Sequence, residues 1–223
     1  MWTDVAGVRT ARLLAYDTRE FPFAKWLAAT LFKVPRLDKL HEQASRFRPA
    51  GHAVSELAYD DNLRLRGLMQ QLEDESYFYR LYHRFAVQVI GGEFGGKIAY
   101  SNHPKMRVHL AGTPTVSKWH RDVDVTKRPD QINVWLPFTD SFGGNSLWIE
   151  TDYGRGDYRP VDVPYGQALL FDGGFLEHGT VTNDTNVTRV SLDFRFSVRA
   201  QTAPEIARSF FEGRPAELIA SVA

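Results

Sequence analysis

The chain has 223 residues, of which 43% are hydrophobic and 13% aromatic, and its 27 basic residues balance its 27 acidic ones. This length and apolar content suit one globular domain with a real core, and the zero formal net charge gives no field that favours nucleic acid or an anionic membrane as a partner. The absence of cysteine excludes disulfides, thiolate metal sites and a cysteine nucleophile, which leaves His, Asp and Glu as possible metal ligands.

The first residues carry no recognisable targeting signal. The start "MWTDVAGVRT" lacks a basic segment followed by an apolar one, and the most apolar early stretch, "KWLAATLFKV", is far too short to cross a bilayer. We therefore expect a soluble, cytoplasmic protein with no membrane or nucleic-acid partner.

Residues 1–95 have mostly helical apolar spacing. The run "YDDNLRLRGLMQQLEDESYFYRLYHRFAVQVI" predicts a long helix that begins at Asp60 or Asp61 and is broken or kinked near Asp74 to Ser76. The following "GGEFGG" contains four glycines in six residues and is expected to end it. These helices could support the rest of the chain, cover a cavity or form a dimer face, so both a monomer and a homodimer stay open.

Between residues 96 and 200 the apolar period changes to two. Runs such as "KMRVHLAG" and "QINVWLPFTD" alternate apolar and polar residues, and turn signals separate them from "NSLWIET", "YRPVDVP", "GQALLFD" and "VTRVSLDFRFSVR". Seven or eight short strands predict a mainly β fold with flanking helices, a sandwich or jelly-roll barrel. We expect one domain: helical support in 1–95, a jelly-roll core in 96–200 and a C-terminal helix in 201–223.

The stretch "SKWHRDVDVTK" places His120 and Asp122 two residues apart. In a strand such residues share a face, so both side chains could bind one metal ion, and Asp124 has the same parity and could replace Asp122. The second histidine would be His178, the only histidine after His120, which lies among glycines. Two histidines and one carboxylate on one face of an octahedron bind Fe(II) and leave positions open for substrate and oxygen.

A further pair, Arg189 and Ser191, lies on the next strand-like run and shares one face. An arginine fork beside a hydroxyl is suited to holding a carboxylate by two hydrogen bonds.

The order H-x-D, distal His, Arg-x-Ser resembles the Fe(II)- and 2-oxoglutarate-dependent oxygenases over roughly residues 98 to 199. The segments "NVWLPFTD" and "NSLWIET" resemble the phytanoyl-CoA-hydroxylase-like branch, and "WHRDVDV", "INVWLPFT" and "NSLWIETDYG" resemble its subgroup from aminoglycoside pathways, including the streptomycin-biosynthesis type. Where many relatives have Asn-Gly, this chain has Asn145-Ser146. The resemblance implies a double-stranded β-helix core.

The resemblance also implies a role for each residue. His120, Asp122 and His178 would bind Fe(II), while Arg189 and Ser191 would anchor the distal carboxylate of 2-oxoglutarate, with Asn133 and Asn145 as contacts to this co-substrate or to water. Oxygen is the second co-substrate, and succinate and carbon dioxide are co-products of C–H oxidation. Halogenases of the superfamily lack the carboxylate ligand, so Asp122 favours hydroxylation or another non-halogenating oxidation.

Strand alternation predicts the remaining cavity residues. If Arg189 points inward, its strand and the neighbouring strands also send polar side chains into the cavity. These are Arg107, His109, Asn133, Trp135, Asp193 and Arg195. A cavity with charges of both signs favours a small polar substrate, such as an amino sugar, cyclitol, amino acid or small peptide, and the subgroup resemblance favours specialised-metabolite (antibiotic) biosynthesis.

Two other readings stay open. A cupin-like metal-dependent isomerase or epimerase would use histidines on short strands but leaves the Arg-x-Ser spacing unexplained, and a non-catalytic binding module on the same barrel leaves the three metal ligands unexplained. A serine hydrolase is disfavoured because no G-x-S-x-G motif is present. We do not expect His103 or His109 to be extra ligands, and His41, His52 and His83 are expected to be surface or packing residues.

Overall fold

The structure is a computed structural model that describes residues 2–50, 56–198 and 205–220. Its described strands are β1 (Thr3–Val5), β2 (Val8–Ala15), β3 (Ile98–Tyr100), β4 (Lys105–His109), β5 (Gln131–Pro137), β6 (Leu147–Glu150), β7 (Tyr158–Val161), β8 (Gln167–Phe171), β9 (His178–Gly179) and β10 (Arg189–Val198). His52 lies outside the described residues, as do 201–204 and 221–223 of the predicted C-terminal helix.

The helices precede, interrupt and follow these strands. They are α1 (Phe23–Trp26), which continues as a π-helical turn (Leu27–Phe32), a 3-10 segment (Leu37–Phe47), α2 (Tyr59–Gln70), α3 (Tyr77–Phe85), which continues as a π-helical turn (Ala86–Ile90), α4 (Gly91–Glu93), α5 (Asp122–Thr126), a 3-10 turn (Gly143–Asn145), α6 (Glu205–Glu212) and α7 (Ala216–Ala220). None of the described helices combines the length and the apolar character needed to cross a bilayer.

Two antiparallel sheets form the β core. The larger sheet has the strand order β1-β2-β8-β5-β10-β3, with β4 also paired to β10, and the smaller sheet has the order β7-β6-β9. Isolated bridges between His120 and His178 and between Ser141 and Val163 extend the smaller sheet. Strands that are distant in sequence are thereby brought side by side, and the functional residues of β4, β5, β9 and β10 converge.

The larger sheet packs its outer face against the N-terminal helices. On β10 the apolar residues Val190, Leu192, Phe194 and Phe196 alternate with polar ones, and all four belong to the main core cluster together with buried residues of α3. The ring centroids of Tyr82 and Phe194 lie 5.3 Å apart in an edge-on contact. This alternation leaves the opposite face of β10 to its polar residues, as strand geometry requires.

The predicted helical support of residues 1–95 is found only from Phe23 onward. Before it, β2 pairs with β8 from Ala11 opposite Phe171 to Ala15 opposite Gln167, so the N-terminal segment is part of the larger sheet. Burial along β2 does not alternate from one residue to the next, and the apolar residues of this segment accordingly show no clean period of two. The partner strand β8 decides its conformation, which local sequence could not reveal.

The predicted break near Asp74 to Ser76 agrees with the structure, since α2 ends at Gln70 and α3 begins at Tyr77, where the Ser76 hydroxyl accepts a hydrogen bond from the Tyr79 amide at 3.3 Å. The C-terminal segment contains two short helices instead of one. Gly213 and Pro215 separate them, and Arg214 between these two residues is buried.

Candidate metal centre

Three side chains meet in one cleft of the β core. One ligand atom from each of His120, Asp122 and His178 lies within 4.8 Å of the other two, which makes this a candidate metal-binding group among the described residues. Metal ligation itself stays a prediction. The cleft is lined by Arg107, Ser117, His120, Asp122, Asn133, Trp135, Leu147, Phe171, His178, Thr180, Arg189 and Asp193.

The prediction that residues 117–127 form a strand is wrong. Only His120 pairs in the manner of a strand, with two 3.0 Å backbone hydrogen bonds to His178. Asp122 begins the short helix α5, because its amide donates to the Gly173 carbonyl at 2.8 Å and the Val123 amide donates to Gly174 at 3.2 Å. The turn around residues 173–174, and not a shared strand face, therefore brings the carboxylate to the histidines.

Each histidine is oriented through the ring nitrogen that faces away from the cluster. Nδ1 of His120 lies 2.7 Å from the Lys118 carbonyl, and Nδ1 of His178 lies 3.1 Å from the Leu176 carbonyl. A carbonyl can only accept, so each Nδ1 carries a proton, and in the neutral ring Nε2 is then the nitrogen with the lone pair that a metal ion needs. This is the arrangement in which a backbone partner fixes the tautomer of a metal-binding histidine. Burial lowers the pKa of His178, which also favours the neutral ring.

Asp122 is held as a carboxylate by two partners. Nδ2 of Asn133 donates to Oδ2 at 2.6 Å, and Nη1 of Arg195 lies 2.7 Å from Oδ1. Burial by itself raises the pKa of Asp122, but His178, Asn133, Arg195 and His120 together hold that pKa below its ordinary value. The carboxyl group is therefore charged and oriented before any ligand arrives.

The structure changes the predicted roles of Asn133 and Arg195. Asn133 was expected to contact 2-oxoglutarate or water and Arg195 the substrate, yet both contact the carboxylate of Asp122. Asn133 still lines the cleft, and its Oδ1 is buried without a hydrogen-bond partner among the described residues.

Gly173 is required because Asn133 passes directly over it. A Cβ atom at this position would lie 2.5 Å from Asn133 Nδ2, the atom that donates to Asp122. We expect Gly173→Ala to displace the amide and to weaken metal binding about tenfold, the lower end of the effect of losing a group that orients a ligand. Isothermal titration with Fe(II) under anaerobic conditions measures this change.

Gly67→Ala is the matched control, since nothing lies within 4 Å of a Cβ at that position in α2. It should leave metal affinity unchanged and raise the free energy of unfolding slightly, because alanine is the better helix former. Equal metal affinity in the Gly173→Ala variant and the wild type would contradict the role of Asn133.

The turn that carries Gly173 and Gly174 is held by a buried ion pair. Arg214, from the segment between α6 and α7, binds both carboxylate oxygens of Asp172 at 2.5 and 2.8 Å, and Tyr153 donates to the same group at 2.9 Å. The Arg214 guanidinium also lies over the rings of Phe175, Phe210 and Phe211, with distances of 4.6 to 5.1 Å to their centroids. The C-terminal segment therefore fixes the turn that positions Asp122. Sequence reasoning missed this pair, since no local signal links the two residues.

Arg189 is buried and incompletely paired. Nη1 donates to Ser191 Oγ at 3.1 Å, whereas Nε and Nη2 have no hydrogen-bond partner among the described residues. Its guanidinium lies 5.5 Å from the Trp135 ring centroid and lines the cleft. Burial, together with the charge of Arg107, lowers the pKa of Arg189 to about 9, so it is still a cation at neutral pH. A buried cation with two free donors matches a carboxylate ligand.

Two predicted contacts lie away from the cleft. His109 is completely buried, with Nε2 3.3 Å from the Thr113 carbonyl, and it does not line the cleft although it pairs in register with Arg189. Asn145 caps a turn, where its Oδ1 accepts from the Phe142 amide at 2.8 Å and its Nδ2 donates to Thr185 at 3.2 Å. Both side chains are buried and do not line the cleft, so the geometry gives no support to the predicted substrate role of His109 or the predicted co-substrate role of Asn145.

The other predicted cavity residues, Arg107, Trp135 and Asp193, do line the cleft, while Ser191 supports Arg189 from beside it. Sequence reasoning missed the lining residues Ser117, Leu147, Phe171 and Thr180. Thr180 follows His178 by two positions, so strand alternation could have predicted that both side chains face the cleft. The others are placed by the fold.

The buried ring of His109 predicts a pH-dependent stability. Burial, with the charge of Arg189, lowers the pKa of His109 to about 3, below the value of about 6.5 expected when the chain unfolds. The unfolded state then binds more protons between these pH values, so stability falls as the pH falls through this window, by up to about 1.4 kcal/mol per pH unit. Urea unfolding of the metal-free protein between about pH 6 and about pH 4 measures this slope.

His109→Gln removes the titrating ring and keeps a donor for the Thr113 carbonyl. As the pH is lowered over the same range, we expect the free energy of unfolding of this variant to fall less steeply than that of the wild type. Parallel slopes for this variant and the wild type would show that other groups set the acid sensitivity.

No known protein-family model matches the chain. It is 41% identical over 115 residues to the streptomycin biosynthesis protein StrG of Streptomyces griseus, in an alignment that covers 52% of this chain and 54% of StrG. The match therefore spans about half the length of that curated relative. The chain is a homologue of StrG.

Solved structures share the fold over most of the chain. AviO1 from Streptomyces viridochromogenes Tue57 superposes with a TM-score of 0.57 at 16% identity and covers 87% of this chain and 90% of its own. The non-haem monooxygenase ThoJ, solved as a nickel complex, gives a TM-score of 0.52 at 13% identity and covers 94% of both chains. The fold is the oxygenase-like double-stranded β-helix, and the predicted fold class is confirmed.

Proposed function

From an oxygenase-like fold whose cleft holds a His-Asp-His cluster, we propose that the protein is a non-haem Fe(II)- and 2-oxoglutarate-dependent oxygenase. It hydroxylates a C–H bond of a small polar metabolite, with O2 as co-substrate and succinate and CO2 as co-products. The single observation that carries this proposal is that two groups line the same cleft. One is the ordered His-Asp-His cluster, and the other is the buried Arg189, whose Nε and Nη2 have no hydrogen-bond partner among the described residues.

The cluster fits a divalent metal ion. Two neutral imidazoles present Nε2 and one ionised carboxylate completes the set, which is the donor set that non-haem Fe(II) oxygenases use. His120, Asp122 and His178 would hold the ion on one side and leave the opposite positions open. Asn133 keeps the carboxylate in orientation from its far oxygen.

Arg189 fits the distal carboxylate of 2-oxoglutarate. Its free Nε and Nη2 form a planar fork, and Ser191 fixes the guanidinium through Nη1. A bound carboxylate would supply the hydrogen bonds and the countercharge that Arg189 lacks. When both are bound, the metal ion and 2-oxoglutarate supply the oxidising chemistry, and the protein supplies position.

The chain's own residues would bind and orient the reactants. Arg189 holds the co-substrate at one end of the cleft, while the three ligands lie at the other. Trp135, Phe171 and Leu147 are apolar walls that limit the water around the ligands. Arg107 and Asp193 are partly buried and form the polar part of the cleft, which the substrate would face.

The substrate proposal draws support from the polar cleft and from the relation to StrG. A hydrocarbon would leave Arg107, Asp193 and Thr180 desolvated without partners, so a hydrophilic molecule is the better match. The 41% identity to a streptomycin biosynthesis protein supports a role in specialised-metabolite biosynthesis, such as that of an aminoglycoside. We propose that the protein works as a monomer or homodimer without nucleic-acid or membrane partners.

The test is an anaerobic titration of the protein with Fe(II) and 2-oxoglutarate. Chelation of this kind of iron site should give a weak charge-transfer band at about 500 nm. Succinate release after oxygen is admitted then measures turnover, first without substrate and then with candidate polar metabolites. Folded protein that gives no band and does not bind 2-oxoglutarate would refute the proposal and favour a cupin-like isomerase or a binding module.

A further inference from the structure

A second arginine lies beside the cleft without a carboxylate of its own. Arg66 projects from α2 into a small side pocket that it shares with Arg107, and Arg107 also lines the cleft. Its Nε is buried and has no hydrogen-bond partner among the described residues. Arg66 is half-buried, so its charge is partly removed from water. Arg66 and Arg107 therefore line one small pocket, and Arg107 is the residue that this pocket shares with the cleft.

The local acids do not balance these arginines. Among the described residues, Arg107 pairs only with Asp193, through a 3.5 Å contact between Nε and Oδ1, while Arg66 has no ion pair. Burial lowers the pKa of Arg66, and the charge of Arg107 lowers it further against a weaker opposing effect of Asp193. Like charges in one partly buried pocket destabilise the protein unless a counter-anion is present.

The charge of the loaded cleft leads to the same result. The charged groups around it are four arginines, Arg66, Arg107, Arg189 and Arg195, and two aspartates, Asp122 and Asp193. Fe(II) would bring two positive charges and 2-oxoglutarate two negative ones. The loaded cleft therefore keeps an excess of two positive charges. One of them belongs to Arg66 and Arg107, which share the single countercharge of Asp193 and to which no co-substrate is assigned.

We propose that Arg66 and Arg107 bind an anionic group of the substrate, so that the small polar metabolite is a phosphate ester or a carboxylate. This inference rests on the proposed oxygenase function and names the substrate class of that same cleft. Two neighbouring guanidinium forks offer several N–H donors to a tetrahedral or planar oxyanion, which is the recognition for which arginine is best suited. Binding such a group would hold the remainder of the substrate towards the metal cluster through the shared Arg107.

The experiment is isothermal titration calorimetry on anaerobic protein loaded with Fe(II) and saturating 2-oxoglutarate, so that Arg189 is already occupied. Inorganic phosphate is one probe and acetate is the other. We expect the wild type to bind one of them, and Arg66→Gln and Arg107→Gln each to weaken that binding at least about tenfold. Binding of phosphate but not acetate would assign a phosphate ester, and the reverse result would assign a carboxylate.

Arg64→Gln is the matched control. Arg64 lies on the same helix, sits 4.0 Å from Asp61 and does not line the pocket, so its loss changes the net charge by the same amount without touching the pocket. It should leave binding of the probe unchanged. The proposal is overturned if neither probe binds, if Arg64→Gln weakens binding as much as Arg66→Gln does, or if binding persists in the Arg66→Gln Arg107→Gln double variant.

The charge-transfer band separates this proposal from the function on which it rests. Recorded in the same samples, it should persist in the Arg66→Gln and Arg107→Gln variants, since among the described residues neither side chain has a hydrogen bond or ion pair with a proposed ligand of iron or of 2-oxoglutarate. If the wild type gives no band, the oxygenase function fails. The same phosphate and acetate titrations on metal-free protein then still decide whether the arginine pair binds an oxyanion.

Discussion

Replacing His178 by alanine is expected to reduce Fe(II) affinity by more than about 100-fold and to remove the charge-transfer band and succinate formation. His178 is buried, and its Nδ1 donates to the Leu176 carbonyl. Its Nε2 is therefore the ring nitrogen left to bind a metal ion together with His120 and Asp122. Equilibrium dialysis with Fe(II) measures the affinity, and the absorption spectrum measures the band.

His120→Ala should give the same result, because the two rings pair across the cluster with 4.4 Å between centroids. His103→Ala is the control, since His103 is exposed and its Nε2 lies 2.8 Å from Asp74, away from the cleft. If Fe(II) affinity survives in His178→Ala, or falls equally in His103→Ala, the three residues are not the metal site.

Replacing Arg189 by glutamine is expected to raise the KM for 2-oxoglutarate by about 100-fold while leaving Fe(II) affinity near that of the wild type. Hydrogen bonds to a charged group contribute about 1.5–3 kcal/mol each, and the free Nε and Nη2 would make two of them. Arg189→Lys should have a smaller effect of about tenfold, because lysine keeps the charge and loses the fork. Initial rates of succinate release at varied 2-oxoglutarate give the KM.

The stability of Arg189→Gln separates a binding role from a structural one. Arg189 is a buried cation whose pKa is lowered, so its removal should not lower the free energy of unfolding in the absence of ligand. In contrast, 2-oxoglutarate at about 100 times the wild-type Kd should stabilise the wild type by about 2.7 kcal/mol and the variant by only about 0.4 kcal/mol. Arg128→Gln, which removes an exposed arginine paired with Asp130, is the control. Unfolding of Arg189→Gln without ligand well below the wild type would assign Arg189 a structural role instead.

The sequence by itself determined the residue types that carry the chemistry. Metal binding and carboxylate binding each need particular side chains at a particular spacing. The sequence therefore indicated His120, Asp122 and His178 for the first and Arg189 with Ser191 for the second. Alternation along β10 determined which residues pack on the helices, because side chains of a strand alternate between its two faces. The mainly β fold followed from the same alternation.

Only the tertiary structure decided how these residues meet. Asp122 reaches the cluster because the carbonyl groups of Gly173 and Gly174 turn its backbone into α5, and the turn itself depends on the Asp172–Arg214 pair. A backbone hydrogen bond to a distant carbonyl, or an ion pair between residues on separate elements, leaves no mark in local composition or period.

The same reason accounts for the residues that were misplaced. His109 shares a face with Arg189 but is sealed by packing, and Asn145 is used by a turn. Parity gives the direction of a side chain, whereas its access to a cleft depends on what the rest of the chain packs over it. Arg66 shows the converse, since the sequence of α2 gave no sign of function, whereas the fold places Arg66 in one pocket with Arg107, which also lines the cleft.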